Sequence, residues 1–233
     1  MKPLGRECSL FGLGTMRMPT KTVDGKSVMD RDECIRMIRH AIDSGVTYVD
    51  TAYPYHGGES ETVVGLALQD GYRERVALTT KLPVWLVKEP ADVMRFLDEQ
   101  LEKLKTDHVD FYLVHALDRE KWEITKKNGA LDILKQAKAE GKIRHIGCSF
   151  HDSYDVFEEI VTAFDWELVQ IQLNYVDFDD PAVQSGKCYE VCRKHGKPVI
   201  VREPVKGGNL VNLPQEAKAV LENLHGGSPA SYA

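Results

Sequence analysis

The stretch VTYVDTAYPYHGGESETVVGLALQD, Val46 to Asp70, changes character twice. Val46–Val49 is a short apolar run and reads as a strand. Asp50–Glu61 then crowds three acids, two tyrosines, a histidine and a glycine pair into one turn. TVVGLALQD, Thr62–Asp70, reads as a helix. Strand, polar turn and helix make one β/α unit, and that unit recurs along the chain.

The strand candidates along the chain, this one included, are Leu10–Gly14, Thr47–Asp50, Val76–Lys81, Val109–Val114, Ile143–Cys148, Leu168–Asn174 and Pro198–Val201. Helical patterns lie between them. In DECIRMIRHAIDSG, residues Cys34, Ile35, Ile38, Ala41 and Ile42 share one apolar face. Asp30 and Glu33 are spaced as a capping box at its start, and Gly45 stands where a left-handed cap residue is wanted. Gly71, Gly141 and Gly196 punctuate later helices in the same way. Repeated β/α units imply a parallel sheet covered by helices.

Two architectures suit that pattern, an open doubly wound sheet and a closed (β/α)8 barrel. Asp50, Lys81, His115, Ser149 and Gln170 all fall within or at the C-terminal ends of successive strands. In a barrel such positions converge on one mouth. A dinucleotide-binding open sheet calls for G-x-G-x-x-G after its first strand, whereas GLGTMRMP lacks the third glycine and runs into a proline. The expectation is therefore an α/β fold of the (β/α)8 TIM-barrel type. Seven strands are found rather than eight, and GGSPASYA announces a helix at Ser228 and Pro229 just before the sequence stops. The expectation that follows is a single domain, residues 1–233, incomplete at its C-terminus.

The bulk numbers narrow the function. The chain has 233 residues, 42% of them hydrophobic, and suits one well-buried domain. A net charge of −6 gives nucleic acid or an anionic membrane no basic face to bind. The five cysteines, Cys8, Cys34, Cys148, Cys188 and Cys192, form no C-x-x-C pair. Neither disulfides nor metal is expected, and a reducing cytoplasm fits. The apolar run in MKPLGRECSLFGLG is too short for a signal peptide, and none approaches the ~20 residues of a membrane span. Nothing in the sequence specifies an oligomeric state.

DTAYPYHGGESE, the lysine of TTKLP, the histidine of YLVHALD, GCSFHD and VQIQLNY occur in that order, each at a strand end. In this the chain resembles the aldo/keto reductase superfamily from about Leu10 to Leu210. The resemblance implies hydride transfer from NADP(H), or from NAD(H), to the carbonyl carbon of an aldehyde or ketone. It further implies Tyr55 as proton donor, Lys81 and Asp50 as the groups that tune it, and His115 as the group that orients the carbonyl. The chemistry accounts for the residue types. A tyrosine's reference pKa of ~10 is high for work near neutrality. An ammonium about 4 Å away contributes roughly 4 kcal/mol at an effective dielectric of ~20, enough to move it by about 3 units. Each residue alone has a plainer reading: Lys81 as a solvated strand end, His115 as a core histidine, Tyr55 as packing. Tyr53 is expected to be a packing or turn residue and Ser60 to cap the helix that follows.

The resemblance also marks Ser149 and Gln170 as partners of the nicotinamide carboxamide. It marks EPVKGGNL, with Lys206, Gly207 and Gly208, as a wrap around the cofactor's pyrophosphate. Trp85, just after the lysine, is placed either to line the substrate pocket or to pack on a neighbouring helix. Two positions depart from the family pattern. Phe150 stands where many relatives have asparagine. Arg202 stands where many have an aromatic residue over the nicotinamide, and a planar guanidinium can stack there instead. GCSFHD and EPVKGG are most similar to a microbial subgroup whose full-length members carry a C-terminal ferredoxin-like 4Fe-4S region. Cysteines in such spacing are absent, so no iron–sulfur cluster is expected within these residues. Two rival readings remain: a non-catalytic, cofactor-sensing regulatory barrel, and an electron-transfer partner module of an iron–sulfur protein.

Overall fold

The computed structural model describes residues 8–224 and 227–232. MKPLGRE, part of the stretch read for a targeting signal, and the final Ala233 lie outside the described residues. The elements in chain order are β1 (Leu13–Gly14), β2 (Thr20–Val23), β3 (Lys26–Met29), α1 (Arg31–Asp43), β4 (Tyr48–Asp50), α2 (Ser60–Ala67), β5 (Ala77–Leu82), α3 (Pro90–Leu104), β6 (Val109–Leu117), α4 (Arg119–Lys127), α5 (Ala130–Ala139), β7 (Ile143–Phe150), α6 (Tyr154–Ala163), β8 (Leu168–Gln172), α7 (Ser185–Lys194), β9 (Val199–Arg202) and α8 (Gln215–Leu224). All seven expected strands are present, shifted at most a few residues at either end, in an α/β alternation. The chain forms two compact units. One runs to His115 and resumes over Glu120–Cys148. The other holds Ala116–Arg119 and the residues from Ser149 onward.

In the first unit β1, β4, β5 and β6 pair in parallel, in chain order. β5 is buried along its whole length, and β6 on nearly all of it, as strands covered on both faces should be. The register explains how distant polar residues come to share a face. Asp50 pairs with Thr79, so Lys81, two residues on, points the same way one step further along. Lys81 in turn pairs with Leu113, which puts His115 on that face by the same two-residue step. The same two-residue step on β5 and on β6 thus carries all three polar residues onto one face.

Helix α1 buries Cys34, Ile38 and Ile42 and leaves Ile35 and Ala41 half-buried. Its expected capping box does not form. Glu33 turns to Arg36, with Nε at 2.8 Å from Oε2, and Asp30 takes the Lys21 ammonium at 3.1 Å. The box forms instead at α3, between Glu89 and Asp92. There Arg95 first, then the N–H groups of Lys88 and Glu89, hold the Asp92 carboxyl down at about 2. Gly45 closes α1 at φ 100°, where a side chain would be strained. The hairpin β2–β3 is additional to the seven strands; its turn residues Asp24 and Gly25 both have positive φ, 50° and 74°.

In the second unit β8 and β9 are parallel, with Gln170 opposite Ile200 and Gln172 opposite Arg202. Cys188 and Cys192 are buried in α7, and burial pushes both thiols up to about 12. They are packing residues, as expected. Ser228 and Pro229 lead into a single 3-10 turn, Pro229–Tyr232.

Candidate active site

Lys81 organises the first unit's site. Its side chain is 1% exposed and its ammonium meets three acceptors: Asp50 Oδ1 at 2.5 Å, the Thr51 carbonyl at 2.8 Å and the Tyr55 hydroxyl at 3.5 Å. Three N–H donors thus have three acceptors, which a buried ammonium needs. The Lys81 Nζ also lies 5.1 Å from the centre of the Tyr55 ring. His115 sets its ring edge-on to Tyr55, centroids 6.1 Å apart, and Trp85 lies 5.2 Å from His115. Trp85 itself is 39% exposed. Asp50, Tyr55, Lys81, His115 and Trp85 are therefore brought together.

The turn that delivers Tyr55 is held from several sides. His56, Gly57 and Gly58 follow it in left-handed conformations, at φ 51°, 65° and 94°. His56 Nε2 accepts the N–H of Met18 at 3.0 Å. Ser60 does not cap α2. Its hydroxyl lies between those of Thr15, 2.8 Å, and Thr51, 2.9 Å, in a wholly buried trio. The N–H and hydroxyl of Thr15 both reach the Asp50 carbonyl. Tyr53 packs edge-on against Phe96 and donates to Glu99 at 3.1 Å, the packing role expected of it.

Behind Lys81 lies a buried network absent from the sequence reading. Glu61 Oε1 accepts the Thr80 hydroxyl at 2.6 Å and the Gln100 amide at 2.5 Å. Gln100 also donates to the Lys81 carbonyl at 3.0 Å and accepts the Tyr112 hydroxyl at 2.6 Å. Glu61 is completely buried, and burial pushes its carboxyl above the ordinary range despite the Thr80 and Gln100 donors. Its place in the DTAYPYHGGESE stretch was the one sequence signal for it.

The second unit gathers the other predicted residues. Ser149 is buried and its hydroxyl oxygen accepts the N–H of Ala116 at 2.7 Å, a residue at φ 52°. That leaves the Ser149 hydrogen to donate elsewhere. Gln170 is buried on β8. Phe150 packs on Phe157, centroids 4.5 Å apart, and supplies no side-chain donor. Arg202 donates to His151 Nδ1 at 2.8 Å and to the Phe150 carbonyl at 3.4 Å. Gly207 and Gly208 turn the chain at φ 64° and 96°. Lys206, however, is directed onto the buried carboxylate of Asp177. Among the described residues no group of three or more His, Cys, Asp or Glu side chains is placed to hold a metal, and no helix is long and apolar enough to cross a membrane.

A family model described as "Aldo/keto reductase family" matches residues 11–225. The chain belongs to the aldo/keto reductase family. Among curated members it is similar to the aldo-keto reductase YhdN of Bacillus subtilis, 33% identical over 153 residues that make up 62% of this chain and 44% of the relative. It is also similar to the NADH-specific methylglyoxal reductase of Escherichia coli, 28% identical over 227 residues, 87% of this chain and 65% of the relative. The chain thus spans less than two thirds of the length of either curated reductase. Among solved structures, an aldo-keto reductase from Klebsiella pneumoniae in complex with NADPH superposes with a TM-score of 0.71 at 26% identity, over 94% of this chain and 73% of that one.

Proposed function

We propose that the protein reduces small aldehydes or ketones to alcohols with a nicotinamide cofactor, NADPH or NADH. The observation that carries this reading is the Lys81 ammonium, buried and shared between Asp50 and the Tyr55 hydroxyl. In that role Tyr55 donates its proton to the carbonyl oxygen as negative charge builds there. Lys81 stabilises the phenolate left behind, and Asp50 fixes the lysine in place. His115 donates to the carbonyl oxygen and orients it. Trp85, beside His115 and partly exposed, lines the substrate's approach.

The second unit's residues suit the cofactor. A carboxamide needs a donor for its oxygen and an acceptor for its amino group. Ser149 retains a hydroxyl hydrogen, and the Gln170 amide can serve on either side. Gly207 and Gly208, with no Cβ, let a pyrophosphate approach the backbone closely. When bound, the cofactor supplies the hydride; the rest of the scheme falls to this chain's own side chains and backbone. The NADPH complex of the Klebsiella structure and the activity named for the Escherichia coli relative support the assignment.

The test is fluorescence titration with NADPH and NADH, followed by turnover on a panel of aldehydes and ketones, methylglyoxal included. Binding of a dinucleotide together with turnover that Tyr55→Phe abolishes is the expected result. Full turnover by Tyr55→Phe excludes Tyr55 as the acid, and binding of neither cofactor removes the reductase reading.

A further inference from the structure

The turn after β9 is backbone that residues with a Cβ rarely adopt. Glu203 and Lys206 lie at φ 54° and 47°, ahead of Gly207 and Gly208. Left-handed non-glycine residues persist where the surroundings over-determine them. Here the determining group is Asp177, in the loop after β8. Its side chain is fully buried. One carboxylate oxygen takes the Lys206 ammonium, and the other takes the amides of Gln172 at 2.6 Å and Asn174 at 2.7 Å. Asn174 reaches on to the Glu203 carbonyl at 3.2 Å, and its own oxygen receives the N–H of Asp177 at 2.9 Å. Both left-handed non-glycine residues are thereby fastened to one loop.

The charges fit this arrangement. Burial alone would push the Asp177 carboxyl up, but Lys206, Gln172 and Asn174 together hold it below the usual carboxylate range. Asp177 in turn raises Lys206. A lysine spent on a buried carboxylate is not a free counter-ion for phosphate. A carboxylate stripped of that lysine would present uncompensated negative charge beside the turn.

We propose that Asp177 is a positioning residue which draws Lys206 inward and so locks the Lys206–Gly208 turn in its cofactor-receiving shape. In this arrangement the turn's backbone, rather than the lysine ammonium, meets the dinucleotide's phosphates. The proposal rests on the reading of this turn as a cofactor turn. It reverses the role that the K-G-G pattern suggests for Lys206, and it fixes the sign of a substitution at Asp177.

The experiment measures NADPH and NADH dissociation constants, kcat at saturating cofactor, and Tm. The proteins are the wild type, Asp177→Asn, Lys206→Met, Lys206→Arg and the Asp177→Asn/Lys206→Met double variant. Each of the first two substitutions is expected to weaken dinucleotide binding about tenfold and to lower Tm. The double variant should be no worse than the poorer single one, because both break the same contact. Lys206→Arg should recover most of the binding, and kcat should hold while the cofactor KM moves. If Asp177→Asn leaves binding unchanged or tightens it while Lys206→Met weakens it, Lys206 is a phosphate ligand and the proposal is wrong. Additive losses in the double variant overturn it as well. Wild-type protein that binds neither dinucleotide defeats the functional reading and the cofactor half of the proposal, while the Tm values of the same variants still judge the clasp.

Discussion

The Lys81 ammonium stands 2.5 Å from Asp50 and 3.5 Å from the Tyr55 hydroxyl. The short contact fixes the lysine; the longer one leaves the tyrosine's proton available for transfer. Under the proposed chemistry Tyr55→Phe should lower kcat by about 10²–10⁴-fold with little change in cofactor affinity. Lys81→Met should lower kcat comparably, since it removes the charge that stabilises the phenolate. Steady-state kinetics on one aldehyde, with cofactor binding measured separately, checks both. A Lys81→Met protein with wild-type kcat contradicts the role given to the lysine.

Asp50 has a stability role that is separable from catalysis. Among the described residues it is the carboxylate that Lys81 pairs with, and the lysine side chain is 1% exposed. Removing one member of a buried pair strands the other and costs about 3–5 kcal/mol. Asp50→Asn should therefore destabilise the fold strongly. Asp50→Asn combined with Lys81→Met should be more stable than Asp50→Asn alone, because no charge is left buried. Urea denaturation of the three variants measures this directly. A double variant less stable than Asp50→Asn would show that the pair is not the source of the loss.

What the sequence makes readable here is local or periodic. Asp50, Lys81 and His115 each end an apolar run, and a two-residue step per strand is enough to place them on one face. The hairpin β2–β3 escapes a reading by periodicity because all its residues but Met29 are exposed. Asp24-Gly25 was its one signal. Ser60 reads as a helix cap because a hydroxyl opens the helix, yet its partner Thr15 is 45 residues away. Glu61 and Gln100 are 39 apart, Asp177 and Lys206 29 apart. No spacing rule reaches such pairs; only the folded register brings them together.

Glu61 makes a pH prediction. Its carboxyl is raised chiefly by burial, against the pull of its Thr80 and Gln100 donors. Between the ordinary carboxylate range and that raised value, the folded protein holds a proton that the unfolded chain releases. Stability from this group therefore falls as pH rises through that window and stays reduced above it. Glu61→Gln keeps an acceptor for Thr80 and Gln100 but cannot ionise. The stability difference between the two proteins should shift in favour of Glu61→Gln as pH climbs from about 4. Denaturation midpoints across that range decide it, and two parallel profiles would mean that Glu61 does not titrate abnormally.

Gly65 sets how closely α2 approaches α3. A Cβ built there would lie 2.4 Å from the Lys103 carbonyl oxygen and 2.8 Å from backbone atoms of Leu104. These are backbone atoms and cannot rotate aside, so Gly65→Ala must push the helices apart. Two effects compete. Alanine gains up to about 1 kcal/mol over glycine in a helix interior, whereas overpacking at a tight contact costs about 1–3 kcal/mol. At 2.4 Å the clash should win. It also strains the network that reaches Lys81, because α2 carries Ser60 and Glu61 while α3 carries Gln100. The expected outcome is a Tm lower by several degrees, at about 2–4 °C per kcal/mol for a chain of this size, together with reduced turnover. Calorimetry on Gly65→Ala settles the sign: a Tm at or above that of the wild type means that helix propensity outweighs the contact and that α2 and α3 can separate at little cost.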